Sequence, residues 1–251
     1  MTIRIAMWSG PRNISTAMMR SFSSRADCAV SDEPFYGAFL DATGEPHPMA
    51  AETIASMDCD WHSVLATQSG EAPGGAPVWY QKHMPHHMVG PVSITDMPHH
   101  RHAFLIRAPE RVVASYRAKN ELRSPDKLGL ARMRRYFEEE TERAGRVPPV
   151  IDSDDILADP AEALSALCSA LGIAWDPAML AWSPGPHPAD GVWGAHWYDS
   201  VNRSTAFGST ATSIPKLDGA FAEVAAACRA DYEAMWRQRI GPVAGANPNI
   251  G

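Results

Sequence analysis

The fold of this chain is decided by residues 3–22, which read IRIAMWSGPRNISTAMMRSF. The apolar run of residues 3–8 predicts a buried strand, and the Ser-Gly-Pro sequence of residues 9–11 predicts the turn that ends it. A helix is predicted to follow over residues 15–22, because its apolar side chains can face a sheet on one side. A strand, a loop and a helix in this order are typical of the start of an α/β domain.

The rest of the sequence continues this alternation of strands and helices. Further strands are predicted near residues 28–31, 78–82, 103–106 and 148–151, and helices near 109–119, from 124 onward, near 159–172 and near 216–239. The alternation predicts a doubly wound, mainly parallel sheet that is flanked by helices. Residues 42–76 are rich in Pro, Gly and Ala around two predicted helices (49–57 and 60–68), and we interpret them as a helical cap or insertion. We expect one domain over residues 1–251, with a frayed tail at 242–251.

Composition restricts the classes of partner. The chain has 251 residues, 45% of them hydrophobic, which is enough for one α/β domain. The formal net charge of −7 excludes a nucleic-acid binder that works by general phosphate neutralisation, although it allows a small anionic ligand. The first residues do not resemble a signal peptide, and no segment reaches the roughly eighteen apolar residues of a membrane span. We therefore expect a soluble, cytoplasmic protein without nucleic-acid or membrane partners.

The loop between the first predicted strand and helix favours an anion. Backbone N–H groups at a helix N-terminus have no partner within the helix, and the helix dipole places positive charge there. Arg12 adds a permanent cation, and Ser15 and Thr16 add hydroxyl donors. The Gly-Lys pair of the Walker sequence GxxxxGK[ST] is absent, which argues against ordinary ATP or GTP hydrolysis.

This loop resembles the phosphate-binding loop of the sulfotransferases that use 3′-phosphoadenosine 5′-phosphosulfate (PAPS), which has the form PRSGST or PKSGTT. The residues that match are Pro11, Arg12, Ser15 and Thr16. Asn13 and Ile14 stand in place of the Ser-Gly pair of that form. The resemblance implies a P-loop-containing fold, which a further resemblance at residues 152–173 supports. It also implies that the donor is bound by Gly10, Pro11, Arg12, Asn13, Ile14, Ser15 and Thr16.

Two later segments resemble the same family. Residues 107–116, RAPERVVASY, resemble its RNPxDVxxSY segment, in which the Arg and the Ser hold the 3′-phosphate of the nucleotide. The resemblance assigns this role to Arg107 and Ser115, which supply charged and hydroxyl donors. Residues 202–208, NRSTAFG, are loosely similar to its RKGxxGDW segment, and Arg203 is assigned to the nucleotide on that basis.

A third segment suggests a catalytic base. Residues 80–85, YQKHMP, resemble the KTHLP segment of the cytosolic sulfotransferases, and His83 falls on the base of that family. An imidazole titrates near neutral pH and can take the proton of an acceptor hydroxyl. Gln81 stands at the position of the family's Lys, with Lys82 beside it. Glu33, after the second strand, is the second candidate, because some bacterial and Golgi sulfotransferases place a catalytic Glu in a comparable position.

These resemblances imply a sulfotransferase that moves a sulfuryl group from PAPS to a hydroxyl or amine acceptor by in-line transfer, with Arg12 stabilising the leaving group. Adenosine 3′,5′-bisphosphate is then the product. An ATP-using phosphotransferase and a catalytically silent nucleotide-binding protein on the same fold remain alternatives. The acceptor is expected to be a small molecule in an aromatic-walled pocket, and a homodimer is left open. The predicted wall residues are Trp79, Tyr80, Trp193, His196, Trp197 and Tyr198.

Six histidines form two clusters in the sequence, at His83, His86 and His87 and at His99, His100 and His102. The HExxH pattern of metalloenzymes is absent, and a Met-Pro pair lies within or beside each cluster. We interpret these histidines as loop ends around the mouth of a pocket and expect no metal site.

Overall fold

The computed structural model describes residues 2–117, 124–209 and 213–241. Its centre is a five-stranded sheet in which all neighbouring strands are parallel. In chain order the strands are β1 (Ile3–Ser9), β2 (Cys28–Asp32), β3 (Val78–His83), β4 (Arg101–Ile106) and β5 (Val150–Asp152). Across the sheet the order is β2-β3-β1-β4-β5, so the chain goes from the central β1 to the edge strand β2, returns to β3 and then crosses to β4 and β5. The predicted fold class is confirmed.

Helices cover both faces of the sheet. They are α1 (Ser15–Ser23), α2 (Tyr36–Thr43), α3 (Ala50–Ser56), α4 (Trp61–Ser69), α5 (Pro109–Arg117), α6 (Leu130–Ala144), α7 (Ser153–Ala158), α8 (Pro160–Leu171), α9 (Gly194–Trp197), α10 (Asp199–Asn202) and α11 (Gly219–Trp236). The two helices predicted within residues 42–76 are present as α3 and α4. The end of the helix predicted at 109–119 and the tail at 242–251 lie outside the described residues. Among the helices described, none has the length and apolar character needed to cross a membrane.

Two hydrophobic clusters, one on each face, hold the helices to the sheet. The side chains of β1 alternate between them, as a strand requires. Ile5 and Met7 pack with α1 and α8, whereas Ala6 and Trp8 pack with α5, α6 and α11. Full burial of one large apolar side chain contributes about 1.5–3 kcal/mol, so both clusters fix the positions of the helices.

The same alternation decides which side chains of β3 face which side. In the register of the sheet, Lys82 lies beside Asp32 and Met7, whereas His83 lies beside Trp8. Lys82 and His83 therefore project from opposite faces. The loops after β1, β2, β3 and β4 all leave the sheet at its carboxyl edge, where ligands bind in doubly wound folds.

Candidate functional site

A cavity of about 470 Å³ lies at the carboxyl edge of the sheet. Four strand ends contribute to it, through residues 11–17 after β1, Glu33 after β2, Lys82 in β3 and Arg107 after β4. Residues within the segment 193–208 add a further wall. The predicted loop residues that line the cavity are Pro11, Arg12, Asn13, Ile14, Ser15 and Thr16. One cavity thus brings together the loop of residues 11–16 and Arg107, which are 91 residues or more apart in sequence.

The loop of residues 9–16 is shaped by close packing and by left-handed backbone conformations. A Cβ atom at Gly10 would lie 2.5 Å from the carbonyl oxygen of Leu128, so glycine is required there. Arg12 and Ile14 have φ values of 57° and 51°, a region that costs an L-residue about 1–2 kcal/mol. Ile14 thus takes a left-handed conformation at the position where the resembling loops carry Gly. Strain of this kind persists only where the surrounding structure fixes it.

The N-terminus of α1 faces the cavity with its backbone amides uncapped. No side chain of the described residues caps the N-terminus of α1, and its first backbone bond runs from the amide of Met18 to the carbonyl of Ile14. The amides before Met18 have no acceptor within the helix and carry the positive end of its dipole. Asn13 anchors the loop, because its Nδ2 donates to the carbonyl of Leu105 in β4 over 2.5 Å.

Two guanidinium groups face this cavity without a carboxylate partner. Nε of Arg12 donates to the hydroxyl of Ser115 over 3.0 Å, and Nη1 of Arg107 donates to the carbonyl of Arg12 over 2.8 Å. Within the described part of the chain neither forms an ion pair, and burial lowers the pKa of both. Nε of Arg107 and Oδ1 of Asn13 are buried without a hydrogen-bond partner among the same residues. The two guanidinium groups fit a ligand that carries more than one anionic group, whereas Oδ1 of Asn13 can only accept a hydrogen bond.

His83, the first candidate for the base, does not line this cavity. Its ring stacks on Trp8 with the ring centroids 4.8 Å apart, and its Nε2 pairs with Oε1 of Gln81 over 3.2 Å. The residue is 1% exposed. Burial, with His100 and His102 nearby, holds its pKa well below the ordinary value. The structure thus separates His83 from the loop and the two arginines, because its side chain projects from the other face of β3.

Lys82 is the charged side chain of β3 that faces the cavity. Its Nζ donates to Oδ1 of Asp32 over 2.8 Å, to Oε1 of Glu33 over 2.7 Å and to the hydroxyl of Tyr198 over 2.8 Å. The hydroxyl of Thr16 lies 3.3 Å from the same Nζ. Burial opposes the charge of Lys82, but Asp32, Glu33 and Tyr198 together raise its pKa well above the ordinary value. Lys82 is therefore an ammonium ion at neutral pH and links the end of β2 to the start of α1.

Glu33 is the one carboxylate that lines the cavity in the described part of the chain. Its φ of 46° belongs to the sharp turn between β2 and α2, and the residue is 7% exposed. Oε1 is held by Lys82, and Oε2 lies 3.8 Å from Nδ1 of His87. Burial holds the pKa of His87 well below its ordinary value, so this ring is neutral near pH 7. Glu33 thus places a carboxyl group at the cavity, held by Lys82.

The predicted aromatic wall is only partly at the cavity. The predicted members that line it are Trp193, Trp197 and Tyr198, and Tyr36 of α2 joins them. Trp79 instead donates to the hydroxyl of Ser31 over 2.9 Å, and Tyr80 stacks on Phe22 in the core. The ring of His196 packs edge-on against the ring of Trp197, and His196 does not line the cavity.

The segment that carries these aromatic residues is fastened to α1. Arg20 donates two hydrogen bonds of 2.6 Å to the carboxylate of Asp190, and both side chains are nearly buried. Nη2 of Arg20 also donates to Oδ1 of Asn202 over 3.3 Å. A bidentate ion pair fixes orientation as well as distance. Arg203, which follows, is exposed and does not line the cavity, although Ser204 does.

Sequence patterns alone assigned no role to Lys82 or to the hydroxyl of Tyr198. Successive side chains of a strand point to opposite faces, so the sequence of β3 already indicated that Lys82 and His83 lie on different sides of the sheet. No comparable signal joins Asp32 to Tyr198, whose hydroxyl donates to Oδ2 of Asp32 over 2.7 Å across 166 residues of sequence.

The two histidine clusters lie in different places. His86 and His87 line the cavity, whereas Nε2 of His100 bonds to the carbonyl of Gln68 in the interior. No group of three or more His, Cys, Asp or Glu side chains among the described residues is arranged to hold a metal ion.

Comparison with families and curated proteins gives two findings. A family model described as a sulfotransferase domain matches residues 3–239. Branched-chain-amino-acid aminotransferase-like proteins 2 and 1 of Arabidopsis thaliana are each 35% identical to this chain, over 205 and 207 residues. The matched part is 82% of this chain but 36% of each relative, so the chain spans about a third of the length of these relatives.

Two solved structures share the fold. The sulfotransferase from Alicyclobacillus acidocaldarius has a TM-score of 0.57 at 13% identity, with 96% of this chain and 97% of that chain covered. The sulfotransferase domain from the curacin biosynthetic pathway has a TM-score of 0.51 at 12% identity, with 96% and 99% covered. At these identities the likeness supports the fold class alone.

Proposed function

This chain belongs to the sulfotransferase domain family, and on that premise we propose that it transfers a sulfuryl group from PAPS to a hydroxyl or amine group of a small molecule. The observation that carries the proposal is the pairing of two unlike sets of groups in one cavity. The donor side consists of the loop of residues 9–16 with Arg107 and Ser115. The acceptor side consists of Glu33 and Lys82 with the aromatic wall.

The donor side suits a nucleotide with phosphate groups at both ends of its ribose. The uncapped amides at the start of α1 suit the 5′-phosphosulfate group. Arg107 and Ser115 suit the 3′-phosphate. The side chain of Arg12 donates to Ser115 and its backbone carbonyl accepts from Arg107, so Arg12 would stand near both anionic groups of a bound nucleotide. PAPS, when bound, supplies the activated sulfuryl group, and these residues hold it in place and neutralise its charge.

The acceptor side supplies the base. The acceptor oxygen forms the new bond to sulfur while the bond from sulfur to the bridging phosphate oxygen breaks, and that oxygen keeps the electron pair. The acceptor proton passes to Glu33. We place Glu33 ahead of His83 because Glu33 lines the cavity and the ring of His83 is stacked on Trp8 in the interior. Arg12 and the loop amides stabilise the charge that grows on the phosphate side.

Lys82 takes the place that the family gives to the Lys of its KTHLP segment. Gln81, which stands at that position in the sequence, donates from Nε2 to the carbonyl of Gln68 and does not line the cavity. Lys82 lines it and lies 3.3 Å from the hydroxyl of Thr16 in the first turn of α1. A cation at this point can stabilise charge on the oxygen between sulfur and phosphorus.

Turnover with labelled PAPS over a panel of small alcohols and amines tests the proposal. We expect the wild-type protein to label at least one acceptor and to release adenosine 3′,5′-bisphosphate in equal amount, and to label none from γ-labelled ATP. Transfer from ATP would make the protein a phosphotransferase instead. Binding of the bisphosphate without transfer to any acceptor would make it a silent nucleotide-binding protein, and absence of both would remove the proposal.

A further inference from the structure

Asp32 is the member of the network around Lys82 that does not line the cavity. The residue is 6% exposed, and both of its carboxylate oxygens are occupied. Oδ1 accepts from Nζ of Lys82 over 2.8 Å, and Oδ2 accepts from the hydroxyl of Tyr198 over 2.7 Å. Because Asp32 is shielded from an acceptor by these two side chains, any effect that it has on the reaction passes through them.

The network contains one ammonium group and two carboxylates. Lys82 donates to Asp32 and to Glu33 at nearly equal distances, 2.8 and 2.7 Å, so its charge is shared between them. A carboxylate that held the ammonium alone would give up its negative charge less readily and would be a weaker base. Asp32 therefore competes with Glu33 for the ammonium group of Lys82.

Asp32 also fixes the direction of the Tyr198 hydroxyl. This hydroxyl accepts from Lys82 over 2.8 Å and from Nε1 of Trp193 over 3.1 Å. Its single proton is donated to Oδ2 of Asp32. Two wall residues of the cavity, Trp193 and Tyr198, are thereby tied to the end of β2, beside Glu33.

We propose that Asp32 is a positioning residue for sulfuryl transfer, which keeps Glu33 basic by sharing Lys82 and holds the aromatic wall beside it through Tyr198. The inference rests on the proposed function, in which Glu33 takes the acceptor proton. It adds to that function a residue that touches neither donor nor acceptor and still sets the pH range of turnover.

Among the described residues, the histidines and tyrosines that face this network carry no charge near pH 7. Burial lowers the pKa of the three histidines and raises the pKa of the three tyrosines. These groups are His47, His87, His187, Tyr36, Tyr80 and Tyr198. Burial raises the pKa of Asp32, and the charge and hydrogen bond of Lys82 oppose this shift, so the ionisation of Asp32 is tied to Lys82.

The pH profile of turnover in Asp32→Asn tests the proposal. We expect the acid limb to move to lower pH by about one unit and the plateau to fall about tenfold, because a nearby charge shifts a carboxyl by 1–3 units and base strength follows. Affinity for adenosine 3′,5′-bisphosphate should stay within about threefold. Tyr198→Phe, which removes the hydroxyl but no charge, is the matched control and should raise the acceptor KM without moving the acid limb.

An unmoved acid limb in folded Asp32→Asn, or an equal loss of turnover and bisphosphate affinity, overturns the proposal. If Asp32→Asn does not fold, infrared pH titrations of the wild-type protein and of Glu33→Gln can be compared instead. The comparison measures the same electrostatic coupling between Asp32 and Glu33. We expect the Asp32 carboxyl to protonate at lower pH once Glu33 is replaced. Protonation of Asp32 at the same pH in both proteins overturns the proposal. A wild-type protein that does not bind the bisphosphate, or Glu33→Gln with full turnover, would instead remove the proposed function and this inference with it.

Discussion

The donor side and the acceptor side of the cavity are built in different ways. The donor side uses mainly one strand–loop–helix unit, whose backbone amides face the cavity, and adds two residues from the unit around β4 and α5. The acceptor side is assembled from side chains of β2, β3 and the distant segment 193–208, joined by hydrogen bonds. The proposed nucleotide site is thus built mainly from a local stretch of sequence, whereas the proposed acceptor site depends on long-range packing.

The two sides also differ in charge. Arg12 and Arg107 on the donor side form no ion pair among the described residues, so they are free to meet anionic groups. On the acceptor side Lys82 is surrounded by two carboxylates and a phenol. Substitution of either arginine should therefore weaken nucleotide binding, and substitution of the charged residues on the acceptor side should reduce turnover without weakening nucleotide binding.

The largest effect is expected from Glu33→Gln on the acceptor side. Loss of the base should lower turnover at least about a hundredfold, within the usual range for general base catalysis. Affinity for adenosine 3′,5′-bisphosphate should stay within about threefold, because Glu33 is not part of the donor side. Steady-state kinetics and calorimetry on the same preparations measure both quantities.

His83→Phe is the matched control for Glu33→Gln, because a phenyl ring can keep the stacking on Trp8. We expect its turnover to stay within about threefold of the wild-type value once folding is verified. The reverse order, with a hundredfold loss in His83→Phe and little loss in Glu33→Gln, would return the role of base to His83 and contradict the division between the two sides.

The strand, loop and helix of the proposed donor side could be predicted from the sequence because their signals are local. An apolar run, a Ser-Gly-Pro turn and hydroxyl residues at a helix start lie within residues 3–16, and the segment around Arg107 has the same strand–helix form. Each of these elements can be recognised from the residues that adjoin it in sequence. The alternation of such units then led to the correct sheet class, since parallel strands need helical crossovers.

The acceptor side could not be predicted in the same way. The resemblance at residues 80–85 indicated a strand end that lies at the cavity, but the side to which each residue points depends on the register of β3 beside β1. That register places Lys82 at the cavity and His83 against Trp8. The bond from Tyr198 to Asp32 joins residues 166 positions apart, and no local pattern marks it.

A small effect is expected from Ile14→Gly on the donor side. The change relieves a left-handed conformation worth about 1–2 kcal/mol in an L-residue, but it also removes a partly buried side chain that packs on the core. These terms oppose each other, so the free energy of unfolding should change by no more than about 1 kcal/mol. Bisphosphate affinity should stay within about threefold, since the loop would bind through its amides.

Ile14→Val is the matched control, because it keeps the β-branched side chain and the strained conformation. It should differ little from the wild-type protein in denaturant unfolding and in calorimetry. A tenfold loss of nucleotide affinity in Ile14→Gly alone would show that the Ile14 side chain, and not the backbone, makes the contact, and would weaken the contrast between the two sides.

Calorimetric titration of wild-type protein and Arg107→Ala with adenosine 3′,5′-bisphosphate and with adenosine 5′-monophosphate tests the central claim most directly, because the two ligands differ only in the 3′-phosphate. Loss of a charge-assisted hydrogen bond costs about 1.5–3 kcal/mol. We predict that Arg107→Ala weakens the bisphosphate about tenfold to a hundredfold and leaves the monophosphate within about threefold, with Arg203→Ala unchanged for both. No binding of the bisphosphate by the wild-type protein, or equal weakening of both ligands in Arg107→Ala, would contradict the account.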